Sequence, residues 1–262
     1  MTAVFPAATF ARSAPTKSRG GGAARASNAG ETVIYGWHSA LAALENPQRH
    51  VRKVLATRNA LERLAEAGVP NLPPPVEARE IERLTGAGAV HQGIAIIADP
   101  LPEPDVDALA DAKLLLVLDQ VTDPHNVGAV LRSAAAFGVD AVLLTERHGP
   151  DESGVLAKAA SGGLEHVALI RVKNLARALE ELADLGFFRI GLDSGHAEPL
   201  DAVAPGQRNA LVLGAEGKGL RRLTREKCDV LARIDIPGAI KSLNVSNAAA
   251  VALYALTRKS RA

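Results

Sequence analysis

The chain has 262 residues, 47% of them hydrophobic, a mean hydropathy of +0.07 and a formal net charge of +1. That is enough apolar material for a sizeable core in one or two domains, and the absence of any uncharged apolar run of about 18 residues excludes a membrane-spanning helix. The single cysteine, Cys228, excludes an internal disulfide framework and fits a reducing, cytoplasmic compartment, while seven histidines without paired ligand spacing argue against a structural zinc site.

Residues 1–30 carry Arg12, Lys17, Arg19 and Arg25 and no acid, so the rest of the chain is net acidic. Such a tail reads either as a disordered basic arm that touches nucleic acid or as an organelle transit peptide. The Gly20–Arg25 run lacks the apolar periodicity of an amphipathic presequence, which favours the arm. It also lacks the long apolar core of a secretory signal.

Ordered structure is expected from Glu31. The stretch Glu31–Tyr35 precedes a helix over Trp37–Glu45, whose Leu41, Leu44 and interleaved alanines share one face and which Asn46-Pro47 ends. Val51–Thr57 alternates like a half-buried strand, Asn59–Ala67 reads as a helix closed by Gly68, Ala78–Leu84 as another helix, and Gly93–Ala98 as a strand. Residues 31–98 thus form a small α/β module. Pro100, Pro102 and Pro104 then mark a stiff extended connector over 99–112, and a second domain fills 113–262.

In that second domain continuous apolar strands alternate with helices. The strands are Leu114–Leu118, Ala141–Leu144, Val167–Val172, Phe187–Leu192 and Ala210–Leu213, and the helices are Val127–Phe137, Val155–Ala160, Leu175–Leu185 and an alanine-rich closing helix. This pattern predicts an α/β fold with a parallel sheet covered on both faces, and ligands in such sheets bind where strands run out into loops.

Three of those loops hold more chemistry than a turn needs. After Leu118, Asp123-Pro124 makes a turn and Asn126 opens a helix. Arg132 follows six residues later and need not share a face with Asn126. An Asn cap and a solvated Arg would explain both, but the helix around Arg132 is mostly apolar. After Leu213, Gly214, Gly217 and Gly219 surround Glu216; Gly219 after Lys218 breaks the Walker pattern, and the glycine spacing differs from a dinucleotide fingerprint. The third loop runs from Ile234 through Ile236 and Pro237-Gly238 to Ser242, Leu243, Asn244, Ser246 and Asn247. It crowds four capping side chains where one suffices. An amide, a guanidinium, a carboxylate and a hydroxyl, with no nucleophile–base pair, suit the binding and orientation of polar hydroxyl groups.

The segments Asp123–Arg132, Leu211–Gly217 and Ser242–Ser246 resemble, in order and spacing, the three motifs of the SpoU (TrmH-type) RNA 2′-O-ribose methyltransferases, over about 150 residues. More weakly, Tyr35-Gly36-x-His38 and His91–Ile94 resemble pieces of this family's small L30e-like RNA-recognition domain. With both domains present the chain is most similar to the bacterial 23S rRNA guanosine 2′-O-methyltransferases. The resemblance implies an S-adenosyl-L-methionine-dependent enzyme of SPOUT type with a C-terminal trefoil knot, acting as a homodimer on RNA rather than DNA or membrane. Spacing alone would draw an ordinary open sheet, since knots are nearly absent among folds. The resemblance also implies that Arg132 activates the ribose hydroxyl, that Asn126 positions the ribose, and that Glu216 orients Arg132 or a substrate hydroxyl. Ser242 and Asn244 would stand near substrate and cofactor, and Leu213, Gly214, Ile234, Ile236 and Leu243 would hold the cofactor.

Two alternatives remain open at this level. A tRNA ribose methyltransferase would share the catalytic domain, and a silent RNA-binding or ribosome-assembly protein would share the fold; intact polar positions in all three motifs argue against the latter. With so little net charge, RNA binding must rely on local patches such as Arg49, Arg52, Lys53 and Arg58 and on the basic tail. Ser246 or Asn247 is expected to cap the closing helix.

Overall fold

The computed structural model describes residues 30–147, 149–195, 198–240 and 242–259. Apart from Gly30, the basic tail lies outside the described residues. The first module contains β1 (Thr32–Tyr35), α1 (Trp37–Glu45), β2 (Val51–Ala56), α2 (Arg58–Glu66), α3 (Ala78–Thr85) and β3 (Ile94–Ala98). Its three strands pair antiparallel in the order β1-β3-β2, with Ile34 opposite Ile96 and a register shift between Val51 and Lys53. Ile34, Ile94 and Ile96 are completely buried, as expected where apolar residues alternate along half-buried strands.

The second region carries β4 (Leu114–Asp119), α4 (Pro124–Phe137), β5 (Ala141–Thr145), α5 (Gly154–Ala160), β6 (Ala168–Val172), α6 (Leu175–Asp184) and β7 (Phe188–Leu192). β8 (Asn209–Gly214), α7 (Arg222–Glu226), β9 (Val230–Ala232) and α8 (Val245–Lys259) complete it. All six strands are parallel, in the order β6-β5-β4-β8-β7-β9. Successive side chains alternate between two cores. Leu116, Leu118, Val142, Leu144, Leu211 and Leu213 face the core shared with α4, α5 and α8, and Leu115, Val117, Leu143, Ala210 and Val212 face the one shared with α6. Burial on both faces explains why these strands read as unbroken apolar runs, and each fully buried leucine contributes roughly 2 kcal/mol through removal from water.

Two short elements, α7 and β9, were not expected. The sequence reading lists no strand after Ala210–Leu213, whereas an edge strand is formed by Val230–Ala232; the chain beyond it is loop, as expected from Ile234 onward. Three residues on the outer edge, pairing only with β7, need no long apolar run.

The proline-rich connector lies against the second region rather than standing free. A 3-10 turn at Val106–Leu109 buries Leu109 in the α6-side core, Leu101 N donates to Glu152 Oε2 (3.2 Å), and Glu103 pairs with Arg171 (2.8 Å).

The basic patch expected around residue 50 is largely spent on ion pairs. Arg49 is 5% exposed and bound to Glu152 and Glu165, and Arg52 pairs with Glu31 and Asp99; of these four cations Lys53 and Arg58 stand exposed without an ion pair to a described residue. The cause is long-range, because the acids that claim Arg49 come from the other half of the chain.

Cys228 donates to Thr224 O (3.3 Å) at the end of α7, and burial pushes its thiol up to about 12. A thiol that stays protonated is a poor nucleophile. Cys228 is partly buried, so the native protein should react with a thiol-specific reagent at pH 8 more slowly than the unfolded chain; equal rates would contradict the protection of Cys228.

Candidate functional site

The sheet's connectivity makes a crevice between β4 and β8. The chain leaves β4 toward α4, on the face of the core that α4 shares with α8, and leaves β8 toward α7, which packs beside α6 on the other face. Adjacent parallel strands whose connections diverge in this way open a ligand site at their C-terminal ends. The cleft there has a volume of about 460 Å³ and is lined by Gln120, Thr122, Asp123 and Asn126 from one loop, Glu216 and Lys218 from the next, and Val245 at the start of α8.

Local chemistry shapes the β4 exit. Asp123, not Asn126, caps α4: its Oδ1 accepts from His125 N (2.9 Å), and Pro124 sits at the first helical position, where its missing N–H costs nothing. Asn126 is therefore not needed as a cap, and its amide faces the crevice. Gln120 adopts φ +61, a conformation rare for a residue with a side chain and often held at functional loops.

At the β8 exit the glycines have a nearer purpose than ligand approach. A Cβ on Gly214 would stand 2.1 Å from the Gly219 carbonyl carbon, because the loop folds back on itself and Gly219 N donates to Ala215 O (2.9 Å). Gly217 and Gly219 adopt φ +76 and +64, which a side chain resists. This tight turn presents Glu216 at the crevice.

Glu216 is the hub. Its Oε1 accepts from Asn126 Nδ2 (3.3 Å), Asn244 Nδ2 (2.5 Å) and Val245 N (3.2 Å), and Asn244 Nδ2 also reaches Asn126 Oδ1 (3.0 Å). Three loops separated by 90 and 28 residues in sequence therefore meet at one carboxylate oxygen. Its second oxygen takes no hydrogen bond from any described residue.

Asn244 also caps α8, accepting from Ser246 N (2.9 Å) and Ser246 Oγ (2.5 Å) on its Oδ1. The expectation that Ser246 or Asn247 would cap, leaving Asn244 to the site, is corrected: one side chain performs both tasks through its two ends. Arg132 lies apart from this network, exposed on α4 about two turns beyond the cap, with no hydrogen bond or ion pair among the described residues. Glu216 thus orients Asn126 and Asn244 and not Arg132 within this chain. Ser242 is exposed and makes no hydrogen bond to a described residue.

The residues read as cofactor-holding share one edge of the sheet. Leu213 and Gly214 end β8, Ile234 and Ile236 follow β9 across the intervening β7, and Leu243 precedes α8. Ile234 and Ile236 are half-buried, Leu243 is 37% exposed and Ile240 is 76% exposed, so apolar side chains border the loops. The amides of Ile234 and Leu243 donate to no described residue. Apolar walls with open backbone donors fit a flat heteroaromatic ring with polar edges.

The sequence reading missed one structural pair here. Asp119, fully buried at the end of β4, accepts from Arg221 N (2.9 Å) and Arg221 Nε (2.6 Å), which pins the start of α7 to the crevice floor. Its signal was an acid closing an otherwise apolar strand. Lys218 and Thr122, also in the cleft lining, had no signal beyond their loop positions.

Comparison with known proteins agrees with this arrangement. Residues 113–254 match the model of the SpoU rRNA Methylase family, and residues 33–104 match that of the RNA 2′-O ribose methyltransferase substrate-binding domain. The chain belongs to the SpoU rRNA methylase family. Among its SpoU relatives is a protein of Xylella fastidiosa (strain Temecula1), 41% identical over 240 residues that cover 86% of this chain and 96% of the relative. Another, from Salmonella typhimurium, is 38% identical over 247 residues that cover 87% of this chain and 98% of the relative. Both are named 23S rRNA (guanosine-2′-O-)-methyltransferase RlmB. The fold matches the SpoU methyltransferase AviRb of Streptomyces viridochromogenes, solved with the cofactor AdoMet, at a TM-score of 0.74 and 22% identity, covering 89% of this chain and 91% of that one.

Proposed function

We propose that this SpoU enzyme transfers a methyl group from S-adenosyl-L-methionine to the 2′-oxygen of a guanosine ribose in 23S rRNA. The observation that carries the reading is the convergence of Asn126, Glu216 and Asn244 on one crevice at the β4–β8 divergence. The names of the Xylella and Salmonella relatives support guanosine and 23S rRNA over tRNA.

When bound, S-adenosyl-L-methionine supplies an electrophilic methyl group on a cationic sulfur that departs as a neutral thioether. The chain's part is positioning and charge stabilisation. The backbones of Gly214, Ile234 and Leu243 would hold the adenosyl moiety, with Leu213 and Ile236 among the apolar residues around it. Asn126 and Asn244, tethered by Glu216 Oε1, set the sugar in place, and Glu216 Oε2 accepts from a ribose hydroxyl. Ser242 contacts substrate from the edge of the loop. Arg132 stands apart from the crevice of its own chain and would serve that of the second copy; since a guanidinium stays protonated, it does not take the hydroxyl proton but stabilises the alkoxide as that proton leaves to water. Holding the two reactants in line supplies several kcal/mol through effective concentration.

Three finer features belong to the same reading. Residues 31–98 form an L30e-like recognition domain and 113–262 the catalytic domain, joined by the connector at 99–112. A C-terminal trefoil knot is supported by the chain beyond β9 lying beside Glu198–Leu200 (Leu200 N to Arg233 O, 2.8 Å; Arg233 N to Glu198 O, 3.0 Å) before α8 begins. A second copy of the chain covers the exposed α8 residues Val251 and Tyr254 and brings a partner to Arg132, in a cytoplasmic homodimer. Incubation of the protein with methyl-labelled cofactor and total RNA from a strain lacking it should label 23S rRNA. Label confined to tRNA would favour the tRNA enzyme, and none at all a silent binder.

A further inference from the structure

The first module meets the catalytic region through a buried ionic cluster. The Arg49 side chain is 0% exposed, Glu165 2% and Glu152 11%. Arg49 Nη1 donates to Glu152 Oε1 (2.5 Å) and to Asp99 O (2.9 Å), and Nη2 donates to Glu165 Oε1 (2.6 Å). Nε is shared between the two Glu165 oxygens at 3.1 Å each, and Asn46 Nδ2 donates to Glu165 Oε2 (2.7 Å). Burial, opposed by Arg49, pushes the Glu152 carboxyl above its ordinary value. One planar fork thus bridges two carboxylates of the catalytic region and the start of the connector, a geometry that lysine cannot reproduce.

The surroundings interlock in the same sense. Ser39 Oγ donates to Ala157 O (2.8 Å) on α5, and Gln92 Oε1 accepts both from Lys158 Nζ (3.0 Å) and from Trp37 N (2.9 Å). A Cβ on Gly154 would stand 2.5 Å from Val33 O, and one on Gly36 would strike the Lys158 side chain. Tyr35-Gly36 and His91-Gln92, the pieces that carried the resemblance in the first module, therefore lie at the seam between the domains. On its far side, Glu165 belongs to the 3-10 turn Gly163–Glu165, which presses on α4: a Cβ on Gly163 would stand 2.7 Å from Leu131 O and 3.0 Å from Arg132 Cα. The cluster is one layer of packing from the helix that bears Arg132.

We infer that Arg49 is a positioning residue that locks the RNA-recognition module in a single orientation on the catalytic domain, so that bound RNA reaches the crevice at a fixed distance from α4. This inference rests on the functional reading above. A buried ion pair is poor evidence of stability, because desolvation cancels much of its attraction, but it fixes geometry, and here it does so between two domains.

The test uses the full chain, with Cys228 replaced by serine and reporter cysteines at exposed Glu66 and Asp184, one in each domain, spin-labelled for distance measurement. Removing Arg49 alone strands two buried carboxylates, so the probing variant is the neutral triple R49M/E152Q/E165Q, with R49K as the charge-conserving companion. With labelled chain diluted into excess unlabelled chain, so that a dimer carries one labelled copy, the parent should give one narrow interdomain distance. The triple variant should give a broad one, with kcat/KM on a 23S rRNA fragment lower by about tenfold or more and unchanged affinity for S-adenosyl-L-methionine; R49K should fall between. A narrow distance retained in both variants would overturn the inference, as would a broadened distance with unchanged rRNA turnover. A parent enzyme inactive on rRNA would refute the functional reading instead, and the distances would still test the lock.

Discussion

Replacing Arg132 with alanine should lower kcat for rRNA methylation by about 100- to 1,000-fold, the usual loss on removing one donor aimed at a developing oxyanion. Cofactor affinity should stay within about twofold. The two effects separate because Arg132 stands two turns along α4 from the crevice, exposed and without an ion pair, while the loops read as holding the cofactor lie at the ends of β8 and β9. Stability should change by no more than about 0.5 kcal/mol, as for other exposed side chains whose loss strands no partner. Calorimetric titration of the cofactor, single-turnover methylation and thermal unfolding on the same preparation distinguish these outcomes. Near-wild-type turnover would remove Arg132 from the chemistry. Arg132→Lys tests the shape of the donor, since an ammonium keeps the charge and loses the planar fork.

Replacing Gly214 with alanine should abolish measurable cofactor binding, a loss of about 100-fold or more, although no functional side chain is removed. The added Cβ would stand 2.1 Å from the carbonyl carbon of Gly219, 2.3 Å from its oxygen and 2.4 Å from Leu220 N, all backbone atoms that cannot swing aside. Relief requires opening the turn closed by Gly219 N and Ala215 O, and with it the placement of Glu216 against Asn126 and Asn244. Overpacking of this kind costs roughly 1–3 kcal/mol, so the fold should survive while the site does not. Gly217→Ala is the control. Nothing lies within 4 Å of a Cβ there, and only its φ of +76 resists the change, so it should bind cofactor more tightly than Gly214→Ala. Wild-type affinity in Gly214→Ala, measured by the same titration, would show that the turn does not shape the cofactor site.

The apolar runs at Leu114–Leu118, Ala141–Leu144 and Ala210–Leu213 announced a parallel sheet because strands buried on both faces must be apolar throughout. The convergence of three polar loops followed from the same sheet, since consecutive strand ends share an edge. What stayed hidden was decided over distance. Arg49 reads in sequence as one cation in a basic cluster, and only the approach of Glu152 and Glu165, 103 and 116 residues away, turns it into a buried bridge. The cap of α8 was misassigned for a related reason. Asn244, Ser246 and Asn247 are all good caps by residue type, and only the observed start of the helix decides that Asn244 serves. The glycines around Glu216 read correctly as a demand for close backbone approach, but the approaching backbone is the chain's own. β9, with three residues, was too short to register.

The most direct measurement is the chemical identity of the product. Purified protein, methyl-labelled S-adenosyl-L-methionine and unmodified 23S rRNA are combined, the RNA is digested to nucleosides, and the labelled species is separated. Label recovered as 2′-O-methylguanosine, and lost with Arg132→Ala, is the predicted result. Label on a base, or on the ribose of another nucleoside, would contradict it.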